Sequence, residues 1–188
     1  MGIVGLGRIG RAVARRCRAY EMRVLAHDVA PDPAYAASHG IELTSLERLL
    51  AESDFVTLHA PHVRETDGLI DAARLRLMKP TAVLINTARG GLVDEAALYE
   101  ALAARRIAGA GLDVFRREPP TGSPLLSLDN VVLTPHAAGS DLASEAATGR
   151  CCVDSILAVA RGGAPSSTLL LNPEASAAAR TRRRLVSP

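Results

Sequence analysis

The chain opens MGIVGLGRIG, where Gly5, Gly7 and Gly10 spell G-x-G-x-x-G directly behind the apolar pair Ile3-Val4. This spacing restricts the fold more than any other feature. Gly5 lets a strand end in a tight turn, Gly7 leaves room for a ligand to approach the backbone, and Gly10 lets the next helix close on the strand. Bare backbone amides and the positive end of that helix, expected over residues 8–20, then converge on one spot suited to a pyrophosphate. A glycine triplet alone also occurs in ordinary turns, so the flanking strand and helix carry the argument. Only Met1 to Val4 remain to build the strand, and the chain begins inside it.

Further along, short apolar and β-branched runs alternate with longer amphipathic ones. Strands are expected at 1–5, 23–27, 55–59, 82–86, 109–114 and 131–134, and helices at 8–20, 33–39, 45–52, 71–78, 94–105 and 141–161. Ser45, Asp94 and Ser140-Asp141 supply helix-start signals. Near-continuous hydrophobic strands fit a parallel sheet covered on both faces, and the alternation predicts a doubly wound α/β sheet with right-handed crossovers. After Gly162 the text turns to GGAPSSTLLLNPEASAAARTRRRLVSP. One domain is therefore expected over 1–162, followed by a poorly ordered extension over 163–188. There is no internal repeat.

With 188 residues, 48% of them hydrophobic, the chain can bury a core, and a net charge of +2 gives no pull toward nucleic acid or membrane. The one basic cluster, Arg180, Arg182, Arg183 and Arg184, is expected to be a solvated tail. Cys17, Cys151 and Cys152 lack the spacing of a disulfide framework or a zinc site, and no metal centre is expected. Cys17 shares the apolar side of the first helix with Ile9 and Val13 and is placed in the core; Cys151 and Cys152 are expected to pack in the last helix. Reduced thiols, no membrane-length apolar run and no signal-peptide pattern predict a soluble cytoplasmic protein.

Asp28 ends the second expected strand about 20 residues beyond the glycines, where a carboxylate accepts hydrogen bonds from an adenosine ribose and repels a 2′-phosphate. That favours NAD over NADP. Three stretches beyond later strand ends carry the chemistry: NTARGGLVDEAAL around Arg89, GLDVFRREPP around Glu118 and LTPHAAGS around His136. Arg89 can hold a substrate carboxylate bidentately and polarise a carbonyl. His136 can deliver a proton as hydride arrives, with Glu118 orienting the imidazole and favouring its charged form. His39 and His62 are expected in solvent, and His27 has no assigned task.

These motifs, with GLGRIG and LHAPHVRETDGLI, stand in an order and spacing that resembles the D-isomer specific 2-hydroxyacid dehydrogenases, in particular the phosphoglycerate dehydrogenase-like branch. The resemblance runs from residue 2 to about 162. It implies a Rossmann-type NAD-binding domain, an NAD-dependent oxidoreductase, and hydride transfer between NAD(H) and C2 of a small 2-hydroxy or 2-oxo acid. It implies Arg89, Glu118 and His136 as catalytic residues. It places Gly5, Gly7, Arg8, Ile9, Gly10 and Asp28 on the cofactor, and also His59, Pro61, Thr66, Thr87, Ala88, Arg89, Asp113, His136 and Gly139. Within that set, Arg8 and Ile9 meet the pyrophosphate through their backbone, Asp113 takes the nicotinamide carboxamide, and Gly139 lies close to that ring.

The family is built of two domains, so the resemblance also implies that the first strand is truncated and the substrate domain largely missing, with the usual dimer arm upstream. A homodimer stays open as a partner, although the usual dimer arm is expected to be absent. Lysine occurs once, at Lys79, while arginine is abundant, which points to GC-rich coding DNA and its alternative start codons. A mis-assigned start, a truncated gene or an excised domain would each account for Met1. In that state NAD binding is expected to persist with turnover far below that of relatives. A non-catalytic NAD-binding or regulatory module, or an inert fragment, is the alternative.

Overall fold

Alternating side chains in the first two strands build the centre of the molecule. Ile3 of β1 (Gly2–Val4) joins one apolar cluster with Val24 and Ala26 of β2 (Val24–His27), while Val4 and Leu25 join a second. Both faces of these strands are buried because successive residues point to opposite sides and each side is covered. On the first side, α1 (Arg8–Ala19) buries Gly10, Ala14 and Cys17, and α2 (Pro33–Ser38) adds Ala36. On the second, α3 (Leu46–Glu52), α4 (Ala72–Leu77) and α5 (Glu95–Ala103) bury Leu49, Leu50, Leu75, Leu98 and Leu102. Asp32, Ser45, Asp71 and Asp94 cap these four shorter helices by accepting from a first-turn amide, each cap contributing about 1 kcal/mol.

The computed structural model describes residues 1–166 and 169. All but a few residues of the expected 163–188 extension, including the basic cluster at Arg180–Arg184, lie outside the described residues. Together with β3 (Ile41–Leu43), β4 (Phe55–Leu58), β5 (Val83–Asn86), β6 (Gly109–Leu112) and β7 (Val131–Leu133), the strands form one parallel sheet in the order β3-β2-β1-β4-β5-β6-β7. Val4 stands level with His27 on one side and Leu58 on the other, so the carboxyl ends of β1, β2 and β4 line up. Strand order reverses between β1 and β4, and open α/β sheets bind ligands in the crevice at such a point.

Several expectations change. The edge strand β3 was not expected: its three residues are too few to show alternation, and they are extended because they pair with β2 just past Gly40, whose φ is +63°. Two-sided coverage is full at β1 and β2 but thins toward β7, where Val132 is 70% exposed. Cys17 is buried as expected, whereas Ile9 is 66% exposed, because the first turn of α1 rises above the sheet.

The chain divides into two compact units, Met1–Ala138 and Gly139–Pro188. The second contains α6 (Leu142–Ala160), capped by Asp141, which accepts from the amides of Ala143 and Ser144 at 3.0 Å. None of the α6 residues is buried; Cys151 is half-buried and Cys152 exposed, so the expected packing of this pair does not occur. No helix among the described residues is long and apolar enough to cross a membrane. At the amino edge of the sheet Lys79 pairs with Asp54 at 2.8 Å, and the Met1 amine donates to the Arg23 carbonyl at 2.9 Å.

Candidate functional site

Three glycines divide their work at the end of β1. Gly5 has φ +93°, and a Cβ there would stand 2.7 Å from the His59 carbonyl carbon. A Cβ on Gly10 would stand 2.0 Å from the Gly5 carbonyl oxygen. Both positions exclude any side chain because backbone meets backbone. Gly7 differs: a Cβ there would meet nothing within 4 Å. It is the exposed N-cap of α1, and no side chain caps the helix, so the first-turn amides lack a capping partner, and Arg8 and Ile9 are exposed. A pyrophosphate fits this cradle in charge and in room.

Asp28, half-buried at the end of β2, accepts from the Leu6 amide at 2.6 Å through one oxygen and from the Ala30 amide at 2.8 Å through the other. Its carboxylate fastens the glycine loop to β2, and each oxygen keeps a further lone pair. Arg11 braces the loop from the helix. Its Nε donates to the Leu6 carbonyl at 3.0 Å, while its guanidinium pairs with Asp32 at 3.0 Å and covers the Tyr35 ring at 4.0 Å. Arg11 carries no motif signal and was not expected. His39, expected in solvent, is half-buried and its ring stacks on the Tyr35 ring with the centroids 4.0 Å apart.

Beyond β4, the His59 amide donates to the Val4 carbonyl at 2.7 Å, and its Nε2 lies 3.0 Å from Thr57 Oγ1. Burial lowers the His59 pKa and favours the neutral ring. The Thr66 hydroxyl donates to the Pro61 carbonyl at 2.7 Å and accepts from the Val63 amide at 2.9 Å, which closes the loop that carries Pro61 and His62.

The loops after β5, β6 and β7 meet in a second corner. Asn86, buried at the end of β5, donates through Nδ2 to the Arg89 carbonyl at 2.9 Å and accepts from the Ala88 amide at 3.0 Å. This clamp shapes the exposed turn Thr87-Ala88-Arg89. A Cβ on Gly90 would stand 1.9 Å from the Phe115 carbonyl carbon, so the Arg89 loop lies backbone-to-backbone on the loop that leads to Glu118. Among the described residues the Arg89 guanidinium has one bond, to the Ala88 carbonyl at 2.6 Å, and Arg89 is exposed.

Asp113, buried at the end of β6, accepts from the Thr134 hydroxyl at 2.5 Å and from the amides of Ala137 at 2.8 Å and Ala138 at 3.0 Å. Burial pushes its pKa up, but these three donors and the nearby His136 outweigh that and hold the carboxyl below its ordinary value. Its own carbonyl accepts from the His136 amide at 2.8 Å. Asp113 thus folds the turn that carries His136, whose φ of +56° is a left-handed conformation rare outside glycine. His136 Nδ1 lies 2.8 Å from Glu118 Oε2, and Glu118 Oε1 accepts from the Phe115 amide at 3.0 Å. The His136 bond and the Phe115 amide lower the Glu118 pKa. An ionised carboxylate only accepts, so Nδ1 carries the hydrogen and Nε2 is left for a ligand.

Arg89, Glu118 and His136 share one cavity of about 310 Å³, whose further wall includes His62 and Arg116. His62 is exposed, as expected, and its Nε2 lies 2.8 Å from Asp67, which also pairs with Arg116 at 3.0 Å. Gly139 lies in the second unit, with open space where a Cβ would stand. Among the described residues no group of three metal-ligating side chains could hold a metal ion.

Comparison with known proteins gives this arrangement a context. The family model described as "D-isomer specific 2-hydroxyacid dehydrogenase, NAD binding domain" matches residues 1–138. The chain is 47% identical over 175 residues to a glyoxylate reductase of Korarchaeum cryptofilum, covering 93% of this chain and 52% of that protein. It is 46% identical over 162 residues to a D-3-phosphoglycerate dehydrogenase of Archaeoglobus fulgidus, covering 86% of this chain and 31% of that protein. Among solved structures it resembles a D-isomer specific 2-hydroxyacid dehydrogenase from Lactobacillus delbrueckii ssp. bulgaricus in its NAD-complexed form. The TM-score is 0.80 at 38% identity, over 88% of this chain and 54% of that one. The chain thus spans from 31% to 54% of these relatives' length.

Proposed function

The chain belongs to the D-isomer specific 2-hydroxyacid dehydrogenase family and carries its NAD-binding domain, and from that premise we propose that it serves hydride transfer between NAD(H) and C2 of a small 2-hydroxy or 2-oxo acid. The observation that carries this reading is the meeting of Arg89 with the Glu118–His136 pair in one cavity, at the same sheet edge as the glycine cradle. The cradle amides and Asp28 would hold NAD, which when bound supplies or takes up the hydride. Asp28 faces the ribose and disfavours a 2′-phosphate.

Arg89 binds the substrate carboxylate and polarises the C2 carbonyl with its fork of N–H donors. In reduction, His136 gives the Nε2 proton to the carbonyl oxygen as C2 gains hydride; in oxidation it takes the hydroxyl proton back. Glu118 holds Nδ1 and stabilises the imidazolium of the charged state. Asp113 keeps the His136 backbone in place.

Within this reading the cofactor domain runs from residue 1 to 162 with an extension beyond. The three free cysteines accord with a cytoplasmic location, and self-association as a homodimer rests on the family alone. The test is direct. NADH consumption in the presence of short 2-oxo acids is expected, and it should fall about 10² to 10⁴-fold in His136→Ala. NAD(H) binding with no consumption under any 2-oxo acid would give a binding module instead.

A further inference from the structure

Two histidines of the cavity wall are each paired with a carboxylate at 2.8 Å, His136 with Glu118 in the same wall and His62 with Asp67 behind it. The reaction proposed above uses only the first. We propose that His62 is a specificity-determining residue of this cavity, its open Nδ1 accepting a hydrogen bond from a hydroxyl on C3 of the substrate. The inference rests on the dehydrogenase reading of the same site.

Asp67 sets the chemistry of the ring. Contacts from His62 and Arg116 hold its carboxyl below the ordinary value, so it is ionised and only accepts. The hydrogen between them therefore belongs to His62 Nε2, and in the neutral ring Nδ1 keeps a lone pair. No other group among the described residues bonds that nitrogen. The ring is also fixed in position: a Cβ on Gly91 would stand 2.4 Å from its Nε2, so the imidazole lies against the backbone of the loop that presents Arg89.

The rest of the wall offers a substrate little else. Gly90 and Gly91 have no side chains, and Phe115 is buried in the core. Arg116 is already engaged by Asp67 at 3.0 Å and the Gly91 carbonyl at 3.3 Å. With the substrate carboxylate on Arg89 and the reacting oxygen at His136, the C3 substituent meets His62. A hydroxyl can donate to the Nδ1 lone pair. A methyl group cannot, and a carboxylate or phosphate would set acceptor against acceptor.

The experiment measures, by isothermal titration calorimetry, the affinities of 3-hydroxypyruvate and pyruvate for the protein saturated with NAD+, which cannot reduce either acid, in wild type, His62→Leu, His62→Gln and Arg89→Ala. Glutamine can keep a donor on Asp67 but lacks the second nitrogen. Wild type is expected to prefer the hydroxy acid about tenfold, the scale of one partly exposed hydrogen bond. Both His62 variants should bring that ratio close to one by weakening the hydroxy acid alone. A wild-type ratio near one, or a ratio kept in either His62 variant, overturns the role of His62. In those cases both acids still bind and still weaken in Arg89→Ala. If wild type binds neither acid, or Arg89→Ala changes neither, the dehydrogenase reading falls and the His62 inference falls with it.

Discussion

The glycine corner at β1, α1 and β2 and the acid–base corner at β5, β6 and β7 sit on one sheet edge but are built in opposite ways. The first comes from one continuous stretch, Gly5 to Asp28, and uses mainly backbone: two glycines that allow close approach, one that leaves room, and unpaired helix amides. The second draws Arg89, Glu118 and His136 from three loops and uses exposed side chains held by buried ones, Asn86 and Asp113. A pyrophosphate is uniform, and main-chain amides suffice for it. A proton must move at one atom, so its donor has to be carried and oriented, here on a left-handed His136.

The largest effect should separate the corners by function. His136→Ala is expected to lower kcat by about 10² to 10⁴-fold while NAD affinity changes less than about twofold, read by steady-state kinetics and cofactor titration. Equal losses would make His136 a cofactor contact and blur the contrast. Gly10→Ala is expected to cost about 3 kcal/mol of stability in denaturant unfolding, because its Cβ would lie 2.0 Å from the Gly5 carbonyl oxygen.

Gly7→Ala sharpens the same contrast within the glycine corner. Stability should stay within about 0.5 kcal/mol, since the new Cβ meets nothing within 4 Å, yet NAD should bind about tenfold more weakly, a difference of about 1.4 kcal/mol. A drop in stability without loss of affinity would show that Gly7 serves the fold.

The smallest effect appears only in acid. Glu118 and Asp113 have folded pKa values below their ordinary ones, so their stabilisation is complete above the unfolded carboxylate range near pH ~4 and fades as pH falls through the lower folded values. Protection of the Ala137 and Ala138 amides against exchange, relative to their intrinsic rates, should therefore fall in acid before that of β1 does. A uniform loss of protection would mean that the two corners open together.

What the sequence displayed follows the same division. The glycine loop and the caps at Ser45, Asp94 and Asp141 depend on neighbours a few residues away, and the strand and helix order follows from apolar periodicity; these were legible, whereas the bond of Asp28 to the Leu6 amide spans 22 residues and was not. Beta3 was hidden because three residues form a strand only through β2. Asn86 closes the apolar strand β5 and shows its use only when the turn at Arg89 folds back onto it. Arg11 and His62 act through partners, Asp32 and Asp67, whose nearness no motif announces. Ile9 was misplaced because helical spacing gives a side but not how far the first turn stands above the sheet. Cys151 and Cys152 show the same weakness, since an apolar position is buried only where something covers it.

The Lys79–Asp54 pair gives the molecule a handle. Lys79 is the chain's single lysine, and both it and the Met1 amine lie at the amino edge of the sheet, whereas the glycine cradle and the acid–base loops leave the carboxyl edge. Amine-reactive coupling to a bead, dye or sensor chip would therefore attach the protein by its back and present its cofactor crevice to the solution.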